Sequence, residues 1–274
     1  MEKIEKGDIV TRKSHNKDIV FIVERFYTDS KGIKIFILRG LTIRIIADSY
    51  ENDLVIIDKK IARDNIKSFE IRIDNRIDKL FNKRLNKYNK ENEYSKGRTG
   101  RVLHLDGDKF YSEKSAKYYK KMGIDAVVKN VSESRQPIFV KEYIKKYSPD
   151  VLVLTGHDGM LKKGTKYGDL SNYRNSKYFV QSVFEARKIM PSSNKLAIFA
   201  GACQSFFEAI MISGANFASS PGRILIDFMD PLIVAEKIAT ANKNKFITIN
   251  DIVGDLREGK KSVDGSGVRG KKPM

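Results

Sequence analysis

Lys195–Gly214 reads K-L-A-I-F-A-G-A-C-Q-S-F-F-E-A-I-M-I-S-G and holds the only cysteine of the chain. Leu196 to Ala200 is a short apolar run suited to a buried parallel strand. Gly201 and Ala202 make a tight corner, and Ser205 to Ser213 reads as an apolar helix closed by Gly214. Cys203 is therefore expected at a strand-to-helix corner, on the rim where open α/β sheets bind ligands. A helix N-terminus just beyond it would offer unpaired N–H groups and a partial positive charge, both of which favour a thiolate.

Upstream, Asp150 to Thr155 is a similar strand and ends in Gly156-His157-Asp158-Gly159. Around these two, the chain alternates between strand and helix patterns. Val102 to Asp106 and Ile124 to Val128 read as strands, while Glu113 to Met122, Pro137 to Tyr147 and Tyr178 to Met190 read as helices. Leu161 to Ser176 is a polar loop without periodicity. Ala215 to Ser219 and Phe246 to Ile249 are further strand candidates, and Asp230-Pro231 opens a helix to about Ala241. Such alternation predicts an α/β fold of flavodoxin-like type: a mostly parallel sheet with flanking helices. It occupies 99–257, and the charged, glycine-bearing stretch 258–274 reads as a mobile basic tail.

The first 58 residues carry strand signals instead. Asp18 to Tyr27, Ile33 to Arg39, Leu41 to Ala47 and Leu54 to Ile57 are β-branched and aromatic runs separated by turn residues, as in a small SH3-like β-barrel. Across 59–98 the period lengthens, with Phe69, Ile73, Ile77, Leu80, Phe81, Leu85 and Tyr88 recurring at three and four residues. That spacing describes an amphipathic helical linker, broken by Tyr94 to Gly100 at a domain boundary.

Composition narrows the function. No apolar run is long enough to span a bilayer and the first residues lack a signal-peptide core, so a soluble, non-exported, cytoplasmic protein is expected. One cysteine makes neither an intramolecular disulfide nor a zinc site built on several thiolates. The net charge of +18 draws polyanions or acidic surfaces, although no zinc-finger or RNA-recognition pattern accompanies it. A non-catalytic basic protein contacting nucleic acid is therefore the alternative function.

A lone cysteine in an apolar setting is commonly packing. A histidine in a Gly-rich turn after one strand, with the single cysteine after the next, is harder to explain that way. His157 as base would turn Cys203 into a nucleophile, with backbone N–H groups of Gly159 and Cys203 facing the oxyanion. His104, inside V-L-H-L-D, is the competing base and reads as structural; His15 sits in a polar turn. Asp158, Asp169 and Asp227 are candidates for orienting the histidine or selecting substrate.

The H-x-G and A-C elements resemble the caspase-like cysteine peptidases, whose histidine precedes the A-C dipeptide by roughly 50 residues. Here Asp158 separates His157 from Gly159, Gly201 replaces the usual Gln, and Ser205 replaces the following Gly. The setting also lacks the G-x-C-x-G of glutamine amidotransferases. K-G-D-I-V-T-R-K-S-H, L-T-G-H-D-G and F-A-G-A-C-Q-S together are similar to the YabG sporulation peptidases over essentially the whole chain. That resemblance implies a caspase-like cysteine endopeptidase that processes spore-coat and related proteins in the mother cell, with Cys203 as nucleophile, His157 as base and no cofactor; it also makes the spore surface, beside nucleic acid, a partner for the non-catalytic alternative. Cleavage after a basic residue would then need Asp158, Asp169 or Asp227 in the pocket. The segment near Arg98 and Arg101 is where self-cleavage would be sought.

Overall fold

The computed structural model describes residues 3–91, 98–161 and 167–273, with side chains left undescribed for 87–91. The side chain of Tyr88, most of the boundary at Tyr94–Gly100 and part of the loop Leu161–Ser176 lie outside the described residues.

Five short strands open the chain: β1 (Ile9–Arg12), β2 (Phe21–Thr28), β3 (Lys34–Gly40), β4 (Ile46–Tyr50) and β5 (Leu54–Ile56). They form one antiparallel sheet in the order β4-β3-β2-β1-β5. Its apolar side buries Val10, Phe21, Val23, Phe36 and Leu38. The strand expected from Leu41 begins only at Ile46. Gly40 N–H donates to Ile45 O, and Ile45 N–H donates to Ile43 O, so residues 41–45 loop out of the sheet. Arg44 and Ile45 find partners in the α/β body instead, at Asp106 and Asp158, a long-range influence that local β-propensity does not carry.

α1 (Lys59–Glu91) is a single helix of 33 residues. Ile73, Ile77 and Leu80 bury one stripe of it among residues of the α/β body. Arg84 fixes its far half, pairing through Nε with Glu236 Oε1 at 2.6 Å and through Nη2 with Asp255 Oδ2 at 2.9 Å.

The second sheet has six strands in the order β12-β10-β9-β8-β6-β7. β6 (Val102–Asp106), β7 (Ala126–Asn130), β8 (Val151–Thr155), β9 (Ala197–Ala200) and β10 (Phe217–Ser219) run parallel. Both faces are covered, and the period of two sorts the side chains between them. Val102, Val151, Val153, Ala197, Phe199 and Phe217 face α1, α2 (Lys109–Lys121) and α6 (Asp230–Thr240). Leu103, Leu105, Leu152, Leu154, Ile198 and Ala200 face α3 (Gln136–Tyr147), α4 (Ser176–Ile189) and α5 (Phe207–Ile212). Each fully buried Val, Leu, Ile or Phe among them stabilises the fold by roughly 1.5–3 kcal/mol.

Three expectations are corrected. The helix after Cys203 starts at Phe207 rather than Ser205 and has six residues, leaving Cys203 in the loop before it. Ser205 is held back because its Oγ bridges Ala202 N–H and Asp158. β11 (Phe246–Ile247) pairs with β13 (Val268–Arg269) instead of extending the main sheet. The stretch expected to be a mobile tail supplies β12 (Val263–Gly265), antiparallel to β10 at the sheet edge, and buries Val263 and Val268.

Candidate functional site

β6 sits between β7 and β8, so consecutive connections leave it toward opposite sides. A parallel sheet opens a crevice beyond the carboxyl ends of its strands at such a switch point. Asp106 ends β6 and Gly107-Asp108 follow it, His157 follows β8, and Cys203 follows β9, which pairs directly with β8. Three neighbouring strands thus bring their chemistry to one rim.

The two corners are tied together by a buried carboxylate. Asp158 Oδ2 accepts from Ser176 Oγ at 2.5 Å and from Ser205 Oγ at 2.8 Å. Its Oδ1 accepts from the N–H groups of Gly159 and Asn175, each at 2.8 Å. Burial raises the Asp158 pKa, and these hydrogen bonds oppose the rise. Asp158 therefore shapes the corners, and the Gly159 N–H expected to face an oxyanion is engaged with it in this conformation.

Cys203 is fully buried, in a cluster with Val10, Phe21, Ile45 and Ile226. Its Sγ accepts from Ile226 N–H at 3.3 Å. Burial pushes its thiol pKa up to about 12, with the backbone of Ile226 and the charge and backbone of Arg44 offsetting part of the effect. Next to it, Gln204 adopts φ 55°, and Gly201 adopts φ 114° with Ser219 Oγ where a Cβ would stand. The corner is thus held in backbone conformations that cost free energy for most residues, a recurring property of functional turns.

His157 lies in the floor of a cleft of about 970 Å³ bordered by Arg39, Asp108, Glu133, Tyr173 and Asn175. Its Nε2 is 4.0 Å from Asp108 Oδ2 and has no hydrogen-bond partner among the described residues. Burial lowers its pKa to about 4, against the opposing pull of Asp108. The imidazole is therefore neutral near pH 7, the form that accepts a proton. Glu133 Oε1 takes the His157 N–H at 2.6 Å, and burial raises the Glu133 carboxyl to about 7.

His104 is enclosed. Its Nε2 meets Thr155 Oγ1 at 2.6 Å, its Nδ1 meets the Tyr119 hydroxyl at 3.3 Å, and burial holds its pKa well below the usual value. Asp169 accepts from Ser171 N–H at 2.9 Å at the start of a 3-10 turn. Asp227 pairs with Arg76 and lines a second cavity, of about 650 Å³, with Arg44, Tyr111 and Phe228. His15 is exposed beside Ser14.

Arg44, Asp106, Asp108, Tyr111 and Glu133 carry much of the site and were not singled out from the sequence. The signal for Asp106 and Asp108 was present, because L-D-G-D closes a strand in the same way as L-T-G-H-D-G. Among the described residues, no cluster of three or more His, Cys, Asp or Glu is arranged to hold a metal ion, and no helix is long and apolar enough to cross a membrane.

The family described as YabG peptidase U57 matches residues 5–274. The sporulation-specific protease YabG of Bacillus subtilis (strain 168) is 37% identical over 275 residues, which cover 96% of this chain and 94% of that protein. No solved structure matches the chain. With the match running through both sheets and every corner described above, the chain belongs to the YabG peptidase family, U57, and is a peptidase by that membership.

Proposed function

We propose that the chain is a cysteine endopeptidase of caspase-like type, with Cys203 as nucleophile and His157 as general base. The observation that carries this reading is the adjacency of β8 and β9, which puts the two side chains on neighbouring corners joined by Asp158. In the reaction, the Cys203 proton passes to neutral His157 and the thiolate attacks a peptide carbonyl. His157 then protonates the leaving amine, and water hydrolyses the thioester to regenerate the thiol. Gly159 and Cys203 N–H groups serve as oxyanion donors once Gly159 N–H turns from Asp158.

The resting structure lacks one requirement of this chemistry. A thiol held near pKa 12 is almost wholly protonated at neutral pH, so catalysis needs a conformation in which Cys203 meets the imidazole and solvent. The relative's printed name, a sporulation-specific protease, supports spore-coat and related proteins as substrates in the mother cell of a sporulating bacterium. The five-stranded sheet is read as the SH3-like element expected from the sequence.

The test is proteolysis of a spore-coat protein extract by wild type, Cys203→Ala and His157→Ala. Both variants are expected to lose at least about a thousandfold in rate, as removal of either member of such a pair does. Unchanged processing by either variant would remove that residue from the mechanism.

A further inference from the structure

Resting on the assignment of Cys203 and His157 above, we propose that Thr42–Ile46 is an intrasteric strap. Arg44 fills the pocket that a basic side chain of the substrate takes once the strap has left.

The backbone of the strap behaves like a bound strand. Ile46 N–H donates to Asp158 O at 2.9 Å, and Asp158 N–H donates to Arg44 O at 3.3 Å. Ile45 and Asp158 form a parallel bridge, so the strap extends the edge formed by the chain leaving β8. Peptides that add to a sheet edge use the same main-chain hydrogen bonds. On its other side, Ile45 packs in the same buried cluster as Cys203. Gly159 permits this approach, because a Cβ there would overlap the Ile46 carbonyl oxygen. The strap therefore runs between the two corners that have to act together.

Its side chain occupies a pocket built entirely by another part of the molecule. Arg44 is 1% exposed, with Nη2 2.7 Å from Asp106 Oδ2. The guanidinium carbon lies 4.5 Å from the Tyr111 ring centroid and 5.5 Å from that of Phe228, a setting that favours a planar cation. A chain of hydrogen bonds fixes the acceptor. Thr155 Oγ1 donates to Asp106 Oδ2 at 2.7 Å, His104 Nε2 lies 2.6 Å from Thr155 Oγ1, and Tyr119 stands at His104 Nδ1. Asp106, Tyr111, Phe228, His104 and Thr155 all belong to the α/β body, whereas Arg44 comes from the N-terminal sheet. In this proposal the acidic group that meets the basic side chain is Asp106, at the end of β6.

The occupant is incompletely served. None of the three Arg44 nitrogens has a hydrogen-bond partner among the described residues, Nη2 meeting Asp106 as an ion pair alone. Buried donors left unpaired disfavour the state that holds them, which suits a strap that must leave. Open space lies on both sides of it. Ile46 borders the cleft that holds His157, while Thr42 and Ile43 border the cavity lined by Leu225, Ile226 and Phe228. A merely structural pin would account for the ion pair, but not for a main chain laid between nucleophile and base.

The test uses the full chain, in which Cys203 is the only thiol. Wild type, Arg44→Ala and Arg44→Met are treated with iodoacetamide, and then with arginyl and glutamyl peptide chloromethyl ketones. Arg44→Met keeps the aliphatic packing on Tyr111 if Arg44→Ala does not fold. Release of the strap is expected to speed iodoacetamide modification of Cys203 about tenfold or more. The arginyl probe is expected to outpace the glutamyl probe in the Arg44 variants, and Asp106→Asn to erase that preference. Equal modification of wild type and both variants, or absence of a side-chain preference, overturns the proposal. Faster modification without peptide hydrolysis would keep the strap and remove the nucleophile assignment; hydrolysis insensitive to Arg44 would do the reverse.

Discussion

Asp158 Oδ2 accepts a hydrogen bond from Ser205 Oγ at 2.8 Å, and this one bond joins the His157 corner to the Cys203 corner. The same carboxylate also holds Ser176 and two backbone N–H groups. Asp158→Ala strands those donors in a buried site and is expected to cost about 2–4 kcal/mol, read as a lower urea midpoint. Asp158→Asn, which keeps an acceptor oxygen, is expected to lose less. A midpoint unchanged in Asp158→Ala would show that the corners hold without it.

The Cys203 thiol gives a pH prediction with a definite sign. Its folded pKa is raised, so its stabilising contribution is complete below the ordinary thiol value of about 9 and is lost as pH rises toward about 12. Iodoacetamide modification of the resting enzyme should therefore climb about tenfold per pH unit between 7 and 10 without levelling off. A plateau near pH 7 would show that the resting thiol is already activated.

His157 is shifted in the opposite direction. Its pKa is lowered to about 4, so its contribution to stability is present above the ordinary value of 6.5 and is lost as pH falls through the interval below it. The chain has three histidines, few enough to assign in an NMR titration. The His157 ring signals are expected to move with a midpoint near 4. A midpoint at or above 6.5 would contradict burial of the imidazole.

The long helix α1 is held to the α/β body by the buried pair of Arg84 and Glu236, to which the Tyr118 hydroxyl also donates. Arg84→Ala leaves the Glu236 carboxylate without its cation and is expected to destabilise the protein by about 3–5 kcal/mol. Removing both partners in Arg84→Met with Glu236→Gln is expected to recover a good part of that loss. Thermal unfolding of the two variants beside wild type measures it, and equal stability of Arg84→Ala and wild type would rule the pair out as a fastener.

The parts legible in the sequence are those whose signal is local. Val102, Val151, Val153 and Phe199 on one face, with Leu103, Leu152, Leu154 and Ile198 on the other, explain why unbroken apolar runs marked the central strands. His157 and Cys203 were visible because each follows such a run. Arg44 was not, because it sits in what reads as a strand and its partners, Asp106 and Tyr111, are distant in the chain. β12 and β13 were missed for the same reason. In S-V-D-G-S-G-V-R only two valines are apolar, and they find burial against β10 and β11 rather than through any pattern of their own.

The Ile45–Asp158 bridge is parallel, and that fixes a polarity. The strap enters beside Leu225 and Phe228 and leaves through the cleft of Glu133 and Asn175. A polypeptide that took its place in the same parallel register would thread in the same direction, its first residues beside Leu225 and Phe228 and its later ones emerging toward Glu133 and Asn175.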